Sequence, residues 1–308
     1  MNQTTINPPH LELQAEFTHW WRQNHQGGWA CTWRRKPVWA AQAIQKLGWH
    51  QEVTAPLFWG ERMQVVTGET VSQGILTFGY GEPTITALML RLVHSGQMIV
   101  DVGTHFGYEA LLGCRLVGSQ GHVICFEPSP ASFALAQKNL ARFSQVELRQ
   151  EAVADQPGTL RLQNRPIWES AFNSLSTNQT ATDTVDVPVT TLDLALANRS
   201  RPVDFLKCDV EGFEMAVLKG AHRLLSQDAP ALVLEADMPS RAGRVSARAC
   251  ELAAHLESYG YQAFNFDFDG CFRCGALDSF PVHHANIAFV PRTRLDLLAQ
   301  LNRVQAKN

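Results

Sequence analysis

Residues 97–290 alternate short apolar runs with stretches in which apolar residues recur at helical spacing. The apolar runs predict strands at 98–102, 122–126, 146–149, 203–207, 231–235, 261–266 and 287–290. The helical spacing predicts helices at 107–117, 130–143, 212–226 and 244–258. The polar residues 156–190 predict irregular structure with one or two short strands, and Asp269-Gly270 predicts a turn between the last two strands. Strands that alternate with helices form a mostly parallel sheet, and the last two strands, with no helix between them, predict one antiparallel strand. We therefore expect an α/β, Rossmann-like fold with a seven-stranded sheet.

The pattern before residue 97 is different. Seven of the eight tryptophans lie in the first 60 residues, residues 11–48 look mainly helical, and short strands are predicted at 63–66 and 74–78. A helix is predicted to follow Pro83. We expect three parts, which are a Trp-rich, mainly helical N-terminal cap (1–82), a catalytic domain (83–296) and a C-terminal tail (297–308). The tryptophans favour a cap that touches substrate, with a dimer contact left open.

Composition excludes several classes of function. The formal net charge is -3 and no basic run is present, so we expect neither nucleic acid nor an anionic membrane as a partner. No stretch is long and apolar enough to span a bilayer, and no signal peptide is evident. The cysteine count is odd, at seven, and Cys114, Cys125 and Cys208 lie in or beside apolar segments. A reduced, cytoplasmic protein is therefore expected.

The first predicted strand ends in Asp101-Val-Gly103-Thr-His-Phe-Gly107. Gly103 permits a sharp turn, and Gly107 lets the next helix begin close to it. This acidic-x-Gly-x-x-x-Gly pattern differs from the Gly-x-Gly-x-x-Gly signature, which places a pyrophosphate on a helix N-terminus. A phosphate-free ligand with a positive charge, S-adenosylmethionine (SAM), suits an acidic residue beside the turn better. The turn alone also occurs in other α/β proteins.

Acidic residues after the next two strands complete a SAM site. Glu127 ends the second strand 20 residues after Gly107, where a carboxylate can accept both ribose hydroxyls. After the third strand, Glu151 and Ala152 are placed to meet the adenine edge, Ala152 through its backbone N–H. The predicted SAM-binding residues are Asp101, Gly103, Thr104, His105, Gly107, Tyr108, Glu127, Pro128, Glu151, Ala152 and Asp209.

Three longer stretches resemble the FkbM family of methyltransferases. They are Val100-Asp-Val-Gly-Thr-His-Phe-Gly-Tyr108, Phe126-Glu-Pro-Ser-Pro130 and Lys207-Cys-Asp-Val-Glu-Gly-Phe-Glu214. The resemblance covers about residues 60–290 and departs from the family at Thr104-His105, where Ala-Asn is usual. It implies a class I methyltransferase fold, SAM as donor, and O-methylation of a sugar, glycan or natural-product hydroxyl.

Candidate catalytic groups follow the fourth and fifth strands. An alcohol is a poor nucleophile at neutral pH, so a base or a metal should help. Asp209 and Glu211 are the preferred pair, either as base or as ligands of a divalent cation such as Mg²⁺ together with Glu235 or Asp237. Whether a metal is needed stays open. Glu211 and Glu214 also suit the first turn of a helix, which would make them structural. Lys207 could pair with one of these acids, which would be a structural role as well.

Two histidine-containing features offer further alternatives. His284 could act as the base, although a strand-edge histidine without a catalytic role is the simpler interpretation. Cys271-Phe-Arg-Cys274 followed by His283-His284 has spacing that permits zinc, but a single CxxC is half a signature.

Three functions are compatible with these residues. The preferred one is a SAM-dependent O-methyltransferase that acts on a small-molecule or carbohydrate acceptor. An N- or C-methyltransferase would need less base strength near Asp209. A non-catalytic SAM-binding partner protein would use the Trp-rich surface, and a homodimer is left open.

Overall fold

The computed structural model describes residues 10–25, 47–163, 165–172, 175–176, 184–236, 245–277, 279, 284–294 and 296–297. The strands, numbered along the chain, are β1 (Glu52–Pro56), β2 (Arg62–Val66), β3 (Met98–Val102), β4 (His122–Phe126), β5 (Val146–Arg149), β6 (Ala152–Val153), β7 (Gly158–Gln163), β8 (Leu175–Ser176), β9 (Thr184–Thr190), β10 (Phe205–Cys208), β11 (Ala231–Glu235), β12 (Tyr261–Phe268), β13 (Phe272–Ala276) and β14 (Asn286–Pro291). The helices are α1 (Leu11–His25), α2 (Thr70–Phe78), α3 (Pro83–Leu92), α4 (Tyr108–Val117), α5 (Pro130–Leu140), α6 (Leu192–Ala195), α7 (Glu214–Lys219) and α8 (Ala247–Glu257), with a 3₁₀ helix over Ile167–Phe172.

The central sheet has eight strands in the order β13-β12-β14-β11-β10-β3-β4-β5. Strands β11, β10, β3, β4 and β5 are parallel, and all five residues of β3 are buried. The α/β, mostly parallel prediction is therefore confirmed, and each predicted strand of this sheet is present.

The predicted count of seven strands, with one antiparallel, was wrong by one in each respect. Strand β13 folds back on β12 through the Asp269-Gly270 turn, so both β13 and β14 run against the parallel strands. Strand β13 is short and mixes polar with apolar residues, so the sequence pattern indicates the turn but not the strand that follows it.

Residues 156–190 were predicted as irregular with one or two short strands. Strands β6 to β9 instead form a second sheet of four strands, in the order β6-β9-β7-β8. Buried Leu162, Val187 and Val189 lie on it with Ala152 and Ala154. The apolar positions of these strands are few and alternate with polar residues. The sequence pattern therefore did not predict a sheet of four strands.

The strand predicted at residues 74–78 was wrong, because these residues form the second half of helix α2. The buried Glu69 carboxylate accepts hydrogen bonds from the N–H groups of Val71 and Ser72 at 3.0 and 2.6 Å, which caps the helix start. Gly79, at φ 75°, ends the helix in the left-handed conformation. The strand β2 pairs instead with β1. A short apolar run does not distinguish strand from helix when the cap is overlooked.

The N-terminal helix shares a core with the central sheet. Phe17 on α1 lies 4.8 Å from Phe58 and 4.9 Å from Phe268 on β12, measured between ring centroids. Helix α1 confirms the helical prediction for the part of residues 11–48 that is described, while the boundary at residue 82 stays a prediction. Among the described helices, none has the length and hydropathy needed to cross a bilayer.

Candidate functional site

A cleft of about 1250 Å³, partly open to solvent, lies beyond the carboxyl ends of β3, β4, β10 and β11. Open parallel sheets bind ligands at this edge. The predicted site residues that line the cleft are Gly103, Thr104, His105, Tyr108, Glu127, Pro128, Glu151, Ala152, Asp209, Glu211 and Glu235. The structure thus brings most of the predicted SAM-binding and catalytic residues to one cleft.

The glycine loop after β3 is tied to the neighbouring strand ends. The N–H groups of Gly103 and Thr104 both donate to the carbonyl of Phe126, at 3.0 and 3.1 Å. Gly103 has φ 79°, and a Cβ at this position would lie 1.8 Å from the carbonyl oxygen of Asp209. Glycine is therefore required here by the approach of the Asp209 backbone, and not only by a ligand.

Glu127 is held by main-chain donors. Its Oε2 accepts from the N–H of His105 and its Oε1 from the N–H of Ser129, each at 2.9 Å. Burial raises the pKa of Glu127 to about 7, against the lowering effect of these hydrogen bonds. The carboxylate is therefore fixed in orientation while its remaining lone pairs can face a ligand hydroxyl.

Lys207 lies beneath the loop and joins three groups. Its Nζ donates to the carbonyl of Gly103 at 2.8 Å and lies 3.5 Å from the carboxylates of both Asp101 and Asp209. The nearby carboxylates raise its pKa well above the usual value, against the lowering effect of burial, which is the largest single influence. This confirms the predicted pairing of Lys207 with an acid, which holds the ends of β3 and β10 in register.

Three carboxylates cluster beyond β10 and β11. Ligand atoms of Asp209, Glu211 and Glu235 lie within 4.8 Å of one another. Burial, and then the neighbouring Asp209 carboxylate to which it is hydrogen-bonded, raise the pKa of Glu235 to about 9. Two carboxylates this close do not both ionise readily, so Glu235 keeps its proton at neutral pH. The cluster can accept a proton from a substrate or bind a cation.

Glu214 shapes the loop that carries this cluster. Glu211 has φ 50° and Gly212 has φ 110°, so the chain turns through left-handed conformations between β10 and α7. The fully buried Glu214 accepts from the N–H of Val210 at 3.0 Å, and its other oxygen pairs with Arg248. Glu214 is therefore structural, which agrees with one of the two alternatives raised by the sequence.

Some predicted residues lie elsewhere. Asp101 and Gly107 are outside the lining, because Asp101 pairs with Thr104 and Lys207 below the loop and Gly107 begins helix α4. His284 is also outside it, and its Nδ1 and Nε2 hydrogen-bond the backbone of Asn286 and Phe266. The structure therefore does not bring His284 to the acidic cluster.

Two predicted features fall partly on residues outside the described ranges, namely Asp237 and His283. Within the described ranges, Cys271 and Cys274 belong to no group of three or more metal-ligating side chains. The zinc interpretation therefore gains nothing from the structure.

Several lining residues escaped the sequence reasoning. Glu82, before helix α3, and Glu109, in the first turn of α4, add two carboxylates, with pKa values raised by burial to about 7 and about 8. Ser170 and the apolar side of helix α2, represented by Val71 and Ile75, complete the wall. Glu82 lies in the Gly81-Glu-Pro83 segment, which also resembles the FkbM family and could have indicated a site residue. Ser170 lies in a polar stretch without a recognisable pattern.

Comparison with known proteins places this geometry in context. Protein-L-isoaspartate O-methyltransferase 1 of Archaeoglobus fulgidus is 32% identical over 72 residues, which are 21% of this chain and 33% of that protein. A crystal structure of Methyltransferase FkbM from Methylobacillus flagellatus KT matches 65% of this chain and 44% of its own, with 18% identity and a TM-score of 0.43. A SAM-dependent O-methyltransferase from Thermotoga maritima matches 77% of this chain and 76% of its own, with 14% identity and a TM-score of 0.40.

The chain spans a third of the curated relative and under half of the FkbM structure. The family model described as the Methyltransferase FkbM domain matches residues 101–263, which begin in β3 and end in β12. The match contains the glycine loop, Glu127 and the Lys207–Glu214 motif. With more than half of its length matched by this model, the chain belongs to the FkbM family of methyltransferases.

Proposed function

We propose that this protein transfers a methyl group from SAM to a hydroxyl group of a sugar, glycan or natural-product acceptor. The observation that carries the proposal is one cleft with carboxylates at both ends. Glu127 lies beyond β4, and the Asp209–Glu235 pair lies beyond β10 and β11. Strands β11 and β4 are three strand spacings apart, about 14 Å, which leaves room for an extended donor between them.

The charge of the lining suits a cationic donor. Of the described residues that line the cleft, seven are carboxylates, namely Glu82, Glu109, Glu127, Glu151, Asp209, Glu211 and Glu235. Lys207 is the lining's one Lys or Arg within the described ranges, and it is already engaged by Asp101 and Asp209. SAM brings a sulfonium and an ammonium group, which would favour the ionised form of carboxylates whose pKa values burial raises, such as Glu82 and Glu127.

Glu127 and the residues beside it would hold the adenosine end. The Glu127 carboxylate, fixed by the N–H groups of His105 and Ser129, can accept from the two ribose hydroxyls. Glu151 and Ala152 line the adjoining part of the cleft, where the adenine edge would lie. Gly103 and Thr104 line the floor between the two carboxylate ends.

Asp209 would act as the base at the acceptor end. SAM supplies an activated methyl group on sulfur, and the acceptor oxygen forms the new bond to carbon as the bond to sulfur breaks. The hydroxyl proton passes to the Asp209 carboxylate, while Glu235 keeps its own proton at neutral pH because of its raised pKa. Glu211 orients the acceptor from the same cluster or joins it in binding a cation.

The direct test is incubation with isotope-labelled SAM and a panel of hydroxylated sugars and natural products, followed by mass spectrometry of the products. We expect a product that is heavier by one methyl group and carries an O-methyl linkage. Matched reactions with and without a chelator decide whether a divalent cation takes part. SAM binding without turnover across the panel would favour the non-catalytic alternative, and N- or C-methyl products would favour the other methyltransferases.

Substitution of Glu127 tests the donor end. Glu127→Ala should raise the dissociation constant for SAM by about 10- to 100-fold, because hydrogen bonds to a charged group are lost. Titration calorimetry measures the change. Glu147→Ala is the matched control, since Glu147 is the second residue of the neighbouring strand β5, pairs with Arg149 and is outside the cleft lining. Equal affinities for the Glu127 variant and the control would contradict the ribose assignment.

The raised pKa values predict a pH dependence of SAM binding. Burial raises the pKa of Glu127 and Glu82 to about 7, so the folded protein retains protons that the unfolded chain loses near pH 4.5. Their contribution to stability is full below that value and declines as pH rises through 7. A cation favours the ionised carboxylates, so SAM should bind more tightly, with proton release, as pH rises from 6 to 7.5.

Most of this range lies below the ordinary pKa of the donor's own amino group, about 7.7, so that group keeps most of its charge over the lower part of the range. The check is the increase in melting temperature caused by saturating SAM, measured across the range. Glu109→Gln should reduce the pH slope, because the pKa of Glu109, raised by burial to about 8, then no longer contributes. An affinity that falls with rising pH would oppose the cationic-donor argument.

A further inference from the structure

The 3₁₀ helix Ile167–Phe172 forms a wall of the cleft that does not belong to the central sheet. It follows β7 and packs against helices α2 and α5. Ser170, at its centre, is 4% exposed and lines the cleft. On the outside, Trp168 stacks on His50 with ring centroids 4.2 Å apart and planes 5° from parallel. The segment is therefore anchored at its outer face and contributes one polar side chain to the cleft.

Ser170 hydrogen-bonds the side chain of His105. The His105 Nε2 and Ser170 Oγ are 2.8 Å apart, and the Ser170 hydroxyl donates to the carbonyl of Ile167 at 2.7 Å. Since the hydroxyl proton is used in that bond, Ser170 Oγ accepts from His105 Nε2–H. Burial lowers the pKa of His105 to about 3, so the ring is neutral and carries this single N–H.

His105 also contacts Glu127, whose carboxylate is predicted to bind the ribose. Its backbone N–H donates to Glu127 at 2.9 Å, and its φ of 51° places it in the left-handed region. Its ring stacks on Phe106 with centroids 3.7 Å apart. One residue thus joins the carboxylate through its main chain and the 3₁₀ wall through its side chain.

We propose that Ser170 is a positioning residue for the methyl donor, which latches the Ile167–Phe172 wall to the glycine loop through its hydrogen bond to His105. The inference rests on the proposed function, because the latch matters only if SAM occupies the part of the cleft beside Glu127. Ser170 lines the same cleft as Glu127, and His105 contacts both residues. The latched wall slows release of the donor and keeps the His105 N–H directed at Glu127.

Ser170→Ala tests the latch. We expect the dissociation constant and the dissociation rate of SAM to rise about fivefold, as the loss of one neutral hydrogen bond implies. The KM for SAM should rise in parallel, while kcat at saturating SAM stays within about twofold, since uniform binding alone is lost. Ser170→Thr, which retains the hydroxyl, should restore most of the affinity.

Ser132→Ala is the matched control. Ser132 is a buried serine on helix α5 whose Oγ has no hydrogen-bond partner within the described part of the chain, and it is outside the cleft lining. Its melting temperature and SAM affinity provide the baseline for the loss of a buried hydroxyl. His105→Asn, a residue that tolerates positive φ, completes a double-mutant cycle. In the His105→Asn background, Ser170→Ala should have no further effect on SAM affinity.

A measurement without SAM separates this inference from the proposed function. In nitrogen-15 NMR of the ligand-free protein, the His105 Nε2–H should exchange slowly with solvent in the wild type and rapidly in Ser170→Ala. If the wild type and Ser170→Ala bind SAM equally well, the latch is overturned and the proposed function is not. Additive effects in the cycle, or a fall in kcat and melting temperature that matches the change in KM, would also overturn the latch. Wild-type protein that binds no SAM would overturn both proposals.

Discussion

Lys207→Met is expected to lower the free energy of unfolding by about 3–5 kcal/mol, because it leaves two buried or half-buried carboxylates without their cation. The side chains of Lys207 and Asp101 are 6% and 3% exposed, so water screens their interaction little. The variant also removes the donor to the Gly103 carbonyl. Chemical denaturation of the ligand-free protein measures the loss.

Lys138→Met is the control for this prediction. Lys138 pairs with Glu52 at 2.7 Å, but both side chains are about half exposed, at 54% and 46%. Exposed pairs of this kind contribute about 0–1 kcal/mol. If Lys207→Met lowers the free energy of unfolding no more than Lys138→Met does, the contacts of Lys207 do not stabilise the ends of β3 and β10 or the glycine loop.

Asp209→Asn is expected to reduce kcat by about 10²- to 10⁴-fold, the usual contribution of a positioned general base. The asparagine amide cannot accept the hydroxyl proton of the acceptor. SAM binding should change only a few-fold, since Glu127 and the glycine loop hold the other end of the donor. Steady-state kinetics and calorimetry on the same preparation separate the two effects, and a melting curve checks that the weakened contact with Lys207 leaves the protein folded.

Glu235→Gln tests which carboxylate of the Asp209–Glu235 pair acts as the base. Burial and Asp209 raise the pKa of Glu235 to about 9, so glutamine imitates the protonated form that prevails at neutral pH. We expect it to keep kcat within about tenfold, as a neutral hydrogen-bond donor replaces another. An Asp209→Asn variant with normal turnover would remove Asp209 from the mechanism, and a larger loss in Glu235→Gln than in Asp209→Asn would exchange their roles.

Local pattern predicted most of the central sheet. Strands β3, β4 and β11 begin and end at the predicted residues, because each is a short, mainly apolar run followed by a polar turn. Strand β5 also has the predicted bounds, although it alternates apolar and charged residues. Helix α3 begins at Pro83 as expected. These are features that neighbouring residues determine, since burial on both faces needs a continuous apolar run and a proline is well tolerated in the first turn.

Other features depended on residues outside the run that was used to predict them. Helix α2 replaced a predicted strand because Glu69 caps it from outside the apolar run. Lys207 could be paired with an acid from the sequence, but its simultaneous contact with Asp101 and the Gly103 carbonyl requires β10 to lie beside β3. No local pattern contains that neighbour.

The sequence by itself determined most strands and helices of the central domain, the family, and the carboxylates that meet at one edge of the sheet. It did so because strand ends, glycine turns and acidic residues are local, and parallel strands bring their carboxyl ends together. Only the tertiary structure placed Glu82, Glu109 and Ser170 in the same cleft and moved His284 out of it. Whether a side chain faces the cleft or the backbone of another strand depends on long-range packing, which spacing along the chain does not encode.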